Sequence, residues 1–400
     1  MSKGVAITGM GIISAIGNSV EESLQALING DKAITTIENI DTVHKNVMKV
    51  GEIKKTNEKL ASELGIPPDN NFSRTALIGA LAAKQAVQNA EIKDINEFKT
   101  GLISASSVGG MDMTEKYYYE YFENPEVVKY ISAHDGGDVA QKIAEVLRLN
   151  GLVTTISTAC SSAANSIMFG ARLIQSGKLD RVIVGGTDAL AKFTINGFKT
   201  LMILSDSYNT PFDNDRKGLN LGEAAAFLVL ESDEVVTKQN KKVLARVAGF
   251  GNANDAFHQT ASSENGDGAF LAMEKAFKVS GLNPSDIDYI NVHGTATPNN
   301  DLSEGRAIIR IYGETNVPDF SSTKPFTGHT LAAAAAIEAV FSVLAIQNSV
   351  VFPNLNFTTP MSEFDLVPQT VIKNKNIDHV LSNSFGFGGN CSTLIFSKNQ

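Results

Sequence analysis

The chain has 400 residues, with 34 Lys and Arg against 43 Asp and Glu, so its formal net charge is −9. Apolar residues make up 43% of it, which is enough for a packed core and argues against intrinsic disorder. Two cysteines are too few for a disulfide-stabilised scaffold of this length. The negative charge argues against nucleic acid as a main partner. No secretory signal or membrane span is expected, because the longest apolar run, Leu331–Ile346, contains Glu338 and is shorter than the roughly 20 residues of a spanning helix. The expected compartment is therefore the cytoplasm.

The order of predicted elements repeats once along the chain. A glycine-containing apolar strand, Val5–Gly11, resembles Leu244–Gly251, and each is followed by an amphipathic helix, Arg74–Ala90 or Gly268–Gly281. The further matched pairs are the strands Thr100–Ser107 and Asp288–Thr295, the small-residue helices Ser157–Gly170 and Thr327–Phe341, the strands Asp180–Gly186 and Asp378–Ser384, and the strands Glu223–Leu230 and Cys391–Phe396. We expect two α/β halves, residues 1–240 and 241–400, with the small-residue helices buried between their sheets.

Residues 117–150 have no counterpart in the second half. They combine aromatic residues at Tyr117–Tyr121 with a polar run at His134–Asp138. We interpret the segment as an insertion that contributes to a pocket or to a subunit contact.

Cys160 is the strongest candidate for a nucleophile. It lies where the strand-like run Val153–Ile156 passes into a helix, so the helix dipole and free backbone N–H groups are expected to stabilise its thiolate. The alternative is a small buried side chain without reactivity, which is common for a free cysteine. The position of Cys160 in the sequence does not decide between a nucleophile and an unreactive buried thiol.

Two histidines are candidates for hydrogen bonding to a carbonyl group. His293 closes the apolar stretch Tyr289–Val292 and is followed by glycine and threonines, at the strand end where α/β sheets bind ligands. A purely structural histidine is the alternative there. His329 precedes the small-residue helix, and a helix N-terminus favours a neutral imidazole.

Lys324 and Glu338 could form a buried ion pair close to His329. Glu338 interrupts an otherwise apolar helix and needs a partner if it is buried, whereas at an exposed edge it needs none. The run Asn383–Gly389 is a glycine-rich turn without the lysine and hydroxyl of a P-loop, so it fits a loop that presents backbone N–H groups to an oxyanion. No His or Cys pair has the spacing of metal ligands.

Together these motifs resemble β-ketoacyl-acyl-carrier-protein synthases of the elongating, Cys-His-His type in the thiolase superfamily. The resemblance covers the whole chain and rests on TACSS around Cys160, VHGTATPNND around His293, STKPFTGHT around Lys324 and His329, and NSFGFGG after residue 382. A thiolase would have a second catalytic cysteine before the glycine run, an initiating synthase would have asparagine for His329, and a chain-length factor would lack Cys160. The implied fold is the duplicated α/β/α/β/α five-layer fold of thiolases.

The resemblance also implies a reaction. An acyl group would move from acyl carrier protein to Cys160, and His293 and His329 would stabilise the enolate formed when malonyl-carrier protein loses carbon dioxide. The carbanion would then attack the acyl thioester, with the backbone N–H groups of Cys160 and Phe387 as the oxyanion hole. The other matched positions are Thr295 and Thr297 for the phosphopantetheine arm, Lys324, Asp301, Glu304 and Glu338 for a network that orients the histidines, Phe387 for a gate, and Val108, Phe198 and Phe385 for substrate binding.

The resemblance implies acyl carrier protein as the partner. It also implies a dimer, because the family's pocket is completed across a dimer contact: a homodimer, or a heterodimer with a ketosynthase-like chain-length factor. No metal and no bound cofactor are expected, since the substrates arrive on the phosphopantetheine of the carrier protein.

The sequence departs from the family pattern at several positions. Asn390 and Cys391 stand where the family has Thr-Asn, and a buried structural thiol is the simplest interpretation of Cys391. Thr210 stands where the family has arginine. Met202 replaces a basic residue that often helps to dock the carrier protein, and the basic residues close to it in sequence are Lys199, Arg216 and Lys217.

The largest departure is the charged segment His134–Asp138, which matches a region near the pocket floor and dimer contact. Charge at the floor of a hydrocarbon tunnel is costly, unless the segment turns outward to solvent. Two hypotheses follow: an elongating enzyme of fatty-acid or related polyketide synthesis, or a dedicated ketosynthase for a specialised product of the polyene or aryl-polyene type. A non-catalytic subunit is disfavoured by the intact Cys160, His293 and His329.

Overall fold

The fold is described for residues 4–399 in a computed structural model. This range contains fourteen strands: β1 (Val5–Ser14), β2 (Ile34–Thr36), β3 (Lys49–Gly51), β4 (Thr100–Ala105), β5 (Leu152–Ile156), β6 (Arg181–Asp188), β7 (Ala224–Glu231), β8 (Ala245–Asn254), β9 (Tyr289–Asn291), β10 (Asp319–Ser321), β11 (Val350–Val351), β12 (Lys373–Asn374), β13 (His379–Phe385) and β14 (Asn390–Ser397). It also contains thirteen α-helices: α1 (Val20–Asn29), α2 (Asn57–Leu64), α3 (Arg74–Asn89), α4 (Met111–Tyr117), α5 (Val128–Ile131), α6 (Gly136–Leu147), α7 (Ser162–Gln175), α8 (Lys192–Thr200), α9 (Asp233–Gln239), α10 (Asp267–Ser280), α11 (Pro298–Tyr312), α12 (Lys324–Thr327) and α13 (Ala334–Asn348).

Ten of the strands are joined by hydrogen bonds into one series with a repeated order. Outward from the centre the order is β1-β7-β6-β4-β5 on one side and β8-β14-β13-β9-β10 on the other. Each strand of the first series has its equivalent in the second at the same place in the chain order, so the predicted internal repeat is confirmed. β1 and β8 join the series as an antiparallel pair, with Val5 opposite Val247 and Ile7 opposite Ala245. The division into domains at residue 240 stays a prediction.

Glycines in the two central strands explain why helices lie so close to them. A Cβ atom on Gly9 or Gly11 would stand 2.4 or 2.2 Å from a carbonyl oxygen of α3. On Gly249 or Gly251 it would stand 2.6 or 2.0 Å from a carbonyl oxygen of α10. Any side chain there would push the helix off the sheet. The glycines of the two matched strand motifs therefore set the outer helical layers of both halves.

The two small-residue helices form the middle layer, which confirms the expected five layers. α7 and α13 pack against each other, and α13 contacts β7 of one series and β13 of the other. The segment Leu331–Asn348 is long and apolar enough to cross a membrane by length and composition, but 89% of it is buried inside the protein. It is a core helix that holds the two halves together through apolar packing.

Both middle-layer helices begin later than the sequence pattern predicts. α7 begins at Ser162 and not at Ser157, because Ala159 has a φ of 51° and the chain turns sharply there. α13 begins at Ala334 and not at Thr327, because Gly328 and Leu331 have φ values of 74° and 54°. In both cases the residues assigned to a helix start instead form an irregular turn. Both turns carry candidate catalytic residues.

The segment 117–150 contains α5, α6 and several short turns between β4 and β5. Its aromatic side chains Tyr119 and Phe122 are 85% and 71% exposed. Asp135 begins α6 by accepting a hydrogen bond from the Gly137 backbone N–H at 2.9 Å. β5, which follows the segment, is an edge strand of the ten-stranded series.

Candidate active site

One cavity of about 220 Å³ brings the three predicted catalytic residues together. Cys160, His293 and His329 all line it, although they are up to 169 positions apart in the sequence. A second cavity of about 450 Å³ also reaches Cys160. The predicted substrate residues divide between the two: Thr295, Thr297 and Phe385 line the first, Val108 lines the second, and Phe198 and Phe387 line both. The thiol therefore lies where the two cavities meet.

Cys160 is held in the sharp turn before α7. It is buried, and burial raises the pKa of its thiol to about 12. The positive charge of Lys324 and the backbone N–H groups of Phe387 and of Cys160 itself lower that pKa, but less than burial raises it. The expected stabilised thiolate is therefore wrong for the chain without substrate, because desolvation outweighs the local positive potential. The two N–H groups that lower the pKa are those predicted for the oxyanion hole.

His329 is held in one tautomer by the backbone. The N–H of Leu331 donates to His329 Nδ1 at 3.2 Å. Since a backbone amide can only donate, Nδ1 is the acceptor and the proton of the neutral ring is on Nε2. Burial and the positive charge of Lys324 hold the pKa of His329 well below its usual value. The predicted neutral imidazole is confirmed, but the cause is burial and Lys324 and not the start of a helix.

His293 follows β9 and is also neutral. Lys324 Nζ lies 3.4 Å from His293 Nδ1 and donates to the His293 carbonyl oxygen at 2.5 Å. An ammonium group only donates, so Nδ1 accepts and Nε2 carries the proton here too. Burial, Lys324 and His329 hold the pKa of His293 well below its usual value. The ring meets that of His329 edge to face, with centroids 5.4 Å apart.

Lys324 and Glu338 form the ion pair that was one of the two alternatives. Lys324 Nζ lies 2.5 Å from Glu338 Oε1, and the side chains are 2% and 1% exposed. The alternative of an exposed Glu338 is wrong. The ammonium group therefore contacts the carboxylate of Glu338 on one side and the backbone carbonyl and ring of His293 on the other.

Asp301 and Glu304 hold the chain that carries His293 and do not touch its ring. Glu304 accepts from the backbone N–H groups of His293 and Gly294, each at 2.8 Å, and burial raises its pKa to about 7. Asp301 accepts from the backbone N–H of Ala296 at 3.2 Å. Within residues 4–399 neither carboxylate is hydrogen-bonded to Lys324. The residues predicted to form one hydrogen-bond network thus form two. Lys324 and Glu338 form one, and Glu304 and Asp301 with the backbone after β9 form the other.

The other predicted residues lie where the cavities open and join. Thr295 Oγ1 and Thr297 Oγ1 are hydrogen-bonded to each other at 2.9 Å. The Phe387 ring stacks on that of Phe198, with centroids 6.0 Å apart, in the glycine-rich loop before β14. The Phe385 ring packs on His293 at 5.6 Å.

Asn390 was noticed in the sequence only as a departure, yet it ties the glycine loop to the turn of Cys160. Its Oδ1 accepts from Ser161 Oγ at 2.7 Å, Asn252 Nδ2 at 2.8 Å and Asn165 Nδ2 at 2.9 Å. These partners come from distant parts of the chain, so no local pattern could reveal the contact. Cys391, the next residue, is buried and lines the first cavity, and burial raises its pKa to about 12.

The charged segment His134–Asp138 faces outward in the single chain. His134 and Asp135 are exposed, and His134 Nδ1 lies 2.8 Å from Thr114 Oγ1. Both residues line a third cavity of about 640 Å³, which shares Ser107, Val108 and Met111 with the second cavity. The alternative that the segment turns to solvent is confirmed for the isolated chain. Of residues 4–399, no charged side chain lines the second cavity.

Comparisons with known proteins show the family of the chain. Residues 2–235 match the family model "Beta-ketoacyl synthase, N-terminal domain" and residues 244–358 match "Beta-ketoacyl synthase, C-terminal domain". The 3-oxoacyl-[acyl-carrier-protein] synthase 2 of Staphylococcus aureus strain COL is 35% identical over 99% of both chains. Among solved structures, the ishigamide ketosynthase/chain length factor has a TM-score of 0.92 and 30% identity over 99% of both chains.

A third relative is a solved complex. The AntDE:AntF structure, a type II polyketide synthase acyl-carrier protein in complex with its ketosynthase, has a TM-score of 0.87 and 26% identity over 99% of both chains. The fold is accordingly that of the thiolase-like ketosynthases. The chain belongs to the beta-ketoacyl synthase family.

Proposed function

We propose that this chain joins an acyl group held on Cys160 to the two-carbon unit of malonyl-acyl carrier protein, giving 3-oxoacyl-acyl carrier protein and carbon dioxide. It is a condensing enzyme of the acyltransferase class. The observation that carries the proposal is the meeting of one thiol and two neutral histidines in one cavity of a chain whose relatives are 3-oxoacyl-acyl carrier protein synthases.

In the first step the Cys160 sulfur attacks the carbonyl carbon of an acyl thioester on the carrier protein. A new sulfur–carbon bond forms, the bond to the phosphopantetheine sulfur breaks, and the proton of Cys160 ends on the released thiol. The backbone N–H groups of Cys160 and Phe387 stabilise the tetrahedral oxyanion between these events. Their proximity to the sulfur supports this assignment.

In the second step the two histidines act as hydrogen-bond donors. Their Nε2–H groups bind the thioester oxygen of the malonyl group, the bond to the carboxylate breaks, and carbon dioxide leaves. The electron pair is held as an enolate on that oxygen. The enolate carbon then attacks the acyl carbonyl, a carbon–carbon bond forms, and Cys160 leaves as thiolate. The thiolate takes up one proton from the solvent, which restores the thiol for the next cycle. Neutral rings with a fixed Nε2 proton suit this role, because donation is needed and proton transfer is not.

The remaining site residues position these groups. Lys324, held by Glu338, keeps His293 Nδ1 as an acceptor, and Glu304 and Asp301 fix the backbone after β9. Thr295 and Thr297 contact the phosphopantetheine arm, and Phe387 gates the passage between the cavities. Val108, Phe198 and Phe385 shape the space for the substrate.

The partner that delivers both substrates is acyl carrier protein, and a related ketosynthase has been captured with its own carrier protein. Of the basic residues near the entrance, Lys199 and Lys217 are exposed, whereas Arg216 is buried and donates to the carbonyl oxygens of Asp213 and Pro298. Docking of an acidic carrier protein therefore uses Lys199 and Lys217 and not Arg216. The enzyme needs no metal or further cofactor and acts in the cytoplasm as a homodimer.

A second candidate function is a dedicated ketosynthase for a polyene or aryl-polyene type product, paired with a chain-length-factor-like subunit. The observation that favours it is the likeness to the ishigamide ketosynthase/chain length factor, together with the charged segment His134–Asp138 beside the third cavity. The test is intact-mass analysis of the protein after incubation with a panel of acyl carrier proteins, followed by malonyl-carrier protein. Saturated chains of all lengths yielding 3-oxoacyl products would support elongation in fatty-acid synthesis. Restriction to unsaturated or aryl chains would support the dedicated enzyme.

A further inference from the structure

Asp188, the last residue of β6, carries a fully buried carboxylate behind the wall of the second cavity. Among residues 4–399 it forms no ion pair. Both oxygens accept hydrogen bonds from one loop: Ser106 Oγ at 2.8 Å, Ser107 Oγ at 2.6 Å, and the backbone N–H groups of Ser107 and Val108 at 3.0 Å. A buried carboxylate without a cation is costly, so the interactions that retain it have to be extensive.

A further donor to Asp188 comes from a distant part of the chain. The backbone N–H of Ala332 donates to Asp188 Oδ2 at 2.9 Å. Ala332 follows Leu331, which has a φ of 54°, lines the second cavity and donates its own N–H to His329 Nδ1. The same carboxylate therefore binds both the loop that bears Val108 and the turn that holds His329.

These contacts connect Asp188 to two parts of the site, the wall of the second cavity and the turn that holds His329. Ser107 and Val108 form one wall of the second cavity, and Leu331 forms another. A change in the width of this cavity would have to move one wall relative to the other. Asp188 is hydrogen-bonded to the first wall directly and to the second through the backbone N–H of Ala332, the residue after Leu331. Burial raises the pKa of the Asp188 carboxyl group, and the hydrogen bonds that it accepts counter that rise. The ionised carboxylate raises the pKa of the Cys160 thiol, against the effect of Lys324.

We propose that Asp188 is a positioning residue that sets the acyl selectivity of the enzyme, by holding the Ser107–Val108 wall of the second cavity at a fixed distance from the turn that carries Leu331 and His329. The inference rests on the acyl-transfer function proposed above. It assigns Asp188 no contact with the substrate. Its carboxylate acts through the backbone and hydroxyl groups that it accepts from.

The test compares Asp188→Asn with Glu52→Gln. Glu52 is also buried and accepts two backbone N–H groups, from Glu38 and Asn39, but it lines neither cavity. The rates of acyl transfer from butyryl- and dodecanoyl-carrier protein are measured for each variant. Asp188→Asn is expected to change the ratio of the two rates by at least about fivefold. The NH₂ group of asparagine cannot accept the hydrogen bonds that one carboxylate oxygen accepts, so one wall of the cavity is no longer held in place. Glu52→Gln is expected to leave the ratio unchanged.

A second measurement separates this role from general loosening of the fold. The rate of Cys160 alkylation by iodoacetamide is followed against pH. The same profile is followed for Cys391, whose thiol is also buried but is not affected by the charge of Asp188. Loss of the Asp188 charge shifts the profile of Cys160 alone to lower pH, whereas general loosening hydrates both buried thiols and shifts both profiles. If Asp188→Asn does not fold, Ser106→Ala removes one donor to Asp188 without changing the lining of the second cavity, and it is expected to shift the selectivity ratio in the same direction.

An unchanged selectivity ratio in a folded Asp188→Asn protein would overturn the proposal. So would an equal change in Glu52→Gln. A wild-type protein that takes up neither acyl chain contradicts the function proposed above, and the alkylation profile then decides whether Asp188 and Cys160 are coupled.

Discussion

Lys324 Nζ lies 2.5 Å from Glu338 Oε1 in a part of the molecule where both side chains are almost fully buried. The same ammonium group donates to the carbonyl oxygen of His293 and lies beside its ring. The pair therefore does more than neutralise two charges, because it fixes which nitrogen of His293 carries the proton. A lysine without its carboxylate would leave an uncompensated charge at the centre of the site.

Breaking this pair should cost stability. Lys324→Met leaves Glu338 buried without its partner, which typically lowers the free energy of unfolding by about 3–5 kcal/mol. The double variant Lys324→Met with Glu338→Leu should recover much of that loss, since no charge remains. Urea denaturation measures both. The exposed pair Lys129–Asp69 is the control, and Lys129→Met should change stability far less than Lys324→Met does. A double variant no more stable than the single one would contradict the account.

His293 should matter more for decarboxylation than for acyl transfer. His293→Ala removes one of two donors to the enolate oxygen, so malonyl-carrier protein decarboxylation should fall roughly 100- to 1000-fold. Acyl transfer to Cys160, which uses backbone N–H groups, should fall far less. Carbon dioxide release and acyl-enzyme mass are measured on the same preparation. Equal loss of both steps would count against the assigned role.

Glu304 should make stability depend on pH near neutrality. Burial raises its pKa from 4.5 to about 7, so the folded protein holds a proton that the unfolded chain has released between these values. Its contribution to the free energy of unfolding therefore falls as pH rises from about 4.5 to 7 and then levels off. Glu304→Gln should remove this slope, which denaturant titrations at several pH values would detect. A variant with the slope of the wild type would show that Glu304 does not titrate in this range.

The Cys160 thiol should react slowly with alkylating agents at neutral pH. Its pKa is raised to about 12 by burial, so the rate of reaction with iodoacetamide should still rise with pH between 8 and 10, where an ordinary thiol levels off. The measurement uses Cys391→Ser to remove the second thiol and peptide mass analysis to locate the label. A rate that levels off below pH 8 would show a stabilised thiolate and contradict the raised pKa of Cys160.

The sequence predicted the parts of the site that depend on local pattern. Cys160 and His293 could be found because each follows an apolar strand, and the two strand motifs with paired glycines indicated the repeat. The features that the sequence did not predict depend on burial and on residues that are distant in the chain. The raised pKa of Cys160 and the contacts of Asn390 require the packed site, which no window of neighbouring residues describes. The predicted starts of α7 and α13 were wrong for another reason. Ala159 and Leu331 have positive φ values, and nothing in an alanine or a leucine indicates such a backbone conformation from sequence.

The mass of the acyl-enzyme shows directly whether Cys160 is the nucleophile. Wild-type protein and Cys160→Ala are incubated with acyl-carrier protein, digested, and searched for the peptide that carries the acyl group, with Cys391→Ser as the matched control. We expect acylation of Cys160 in the wild type and in Cys391→Ser, none in Cys160→Ala, and 3-oxoacyl product only where acylation occurs. Acyl transfer to the Cys160→Ala protein, or full condensation by it, would contradict the central claim.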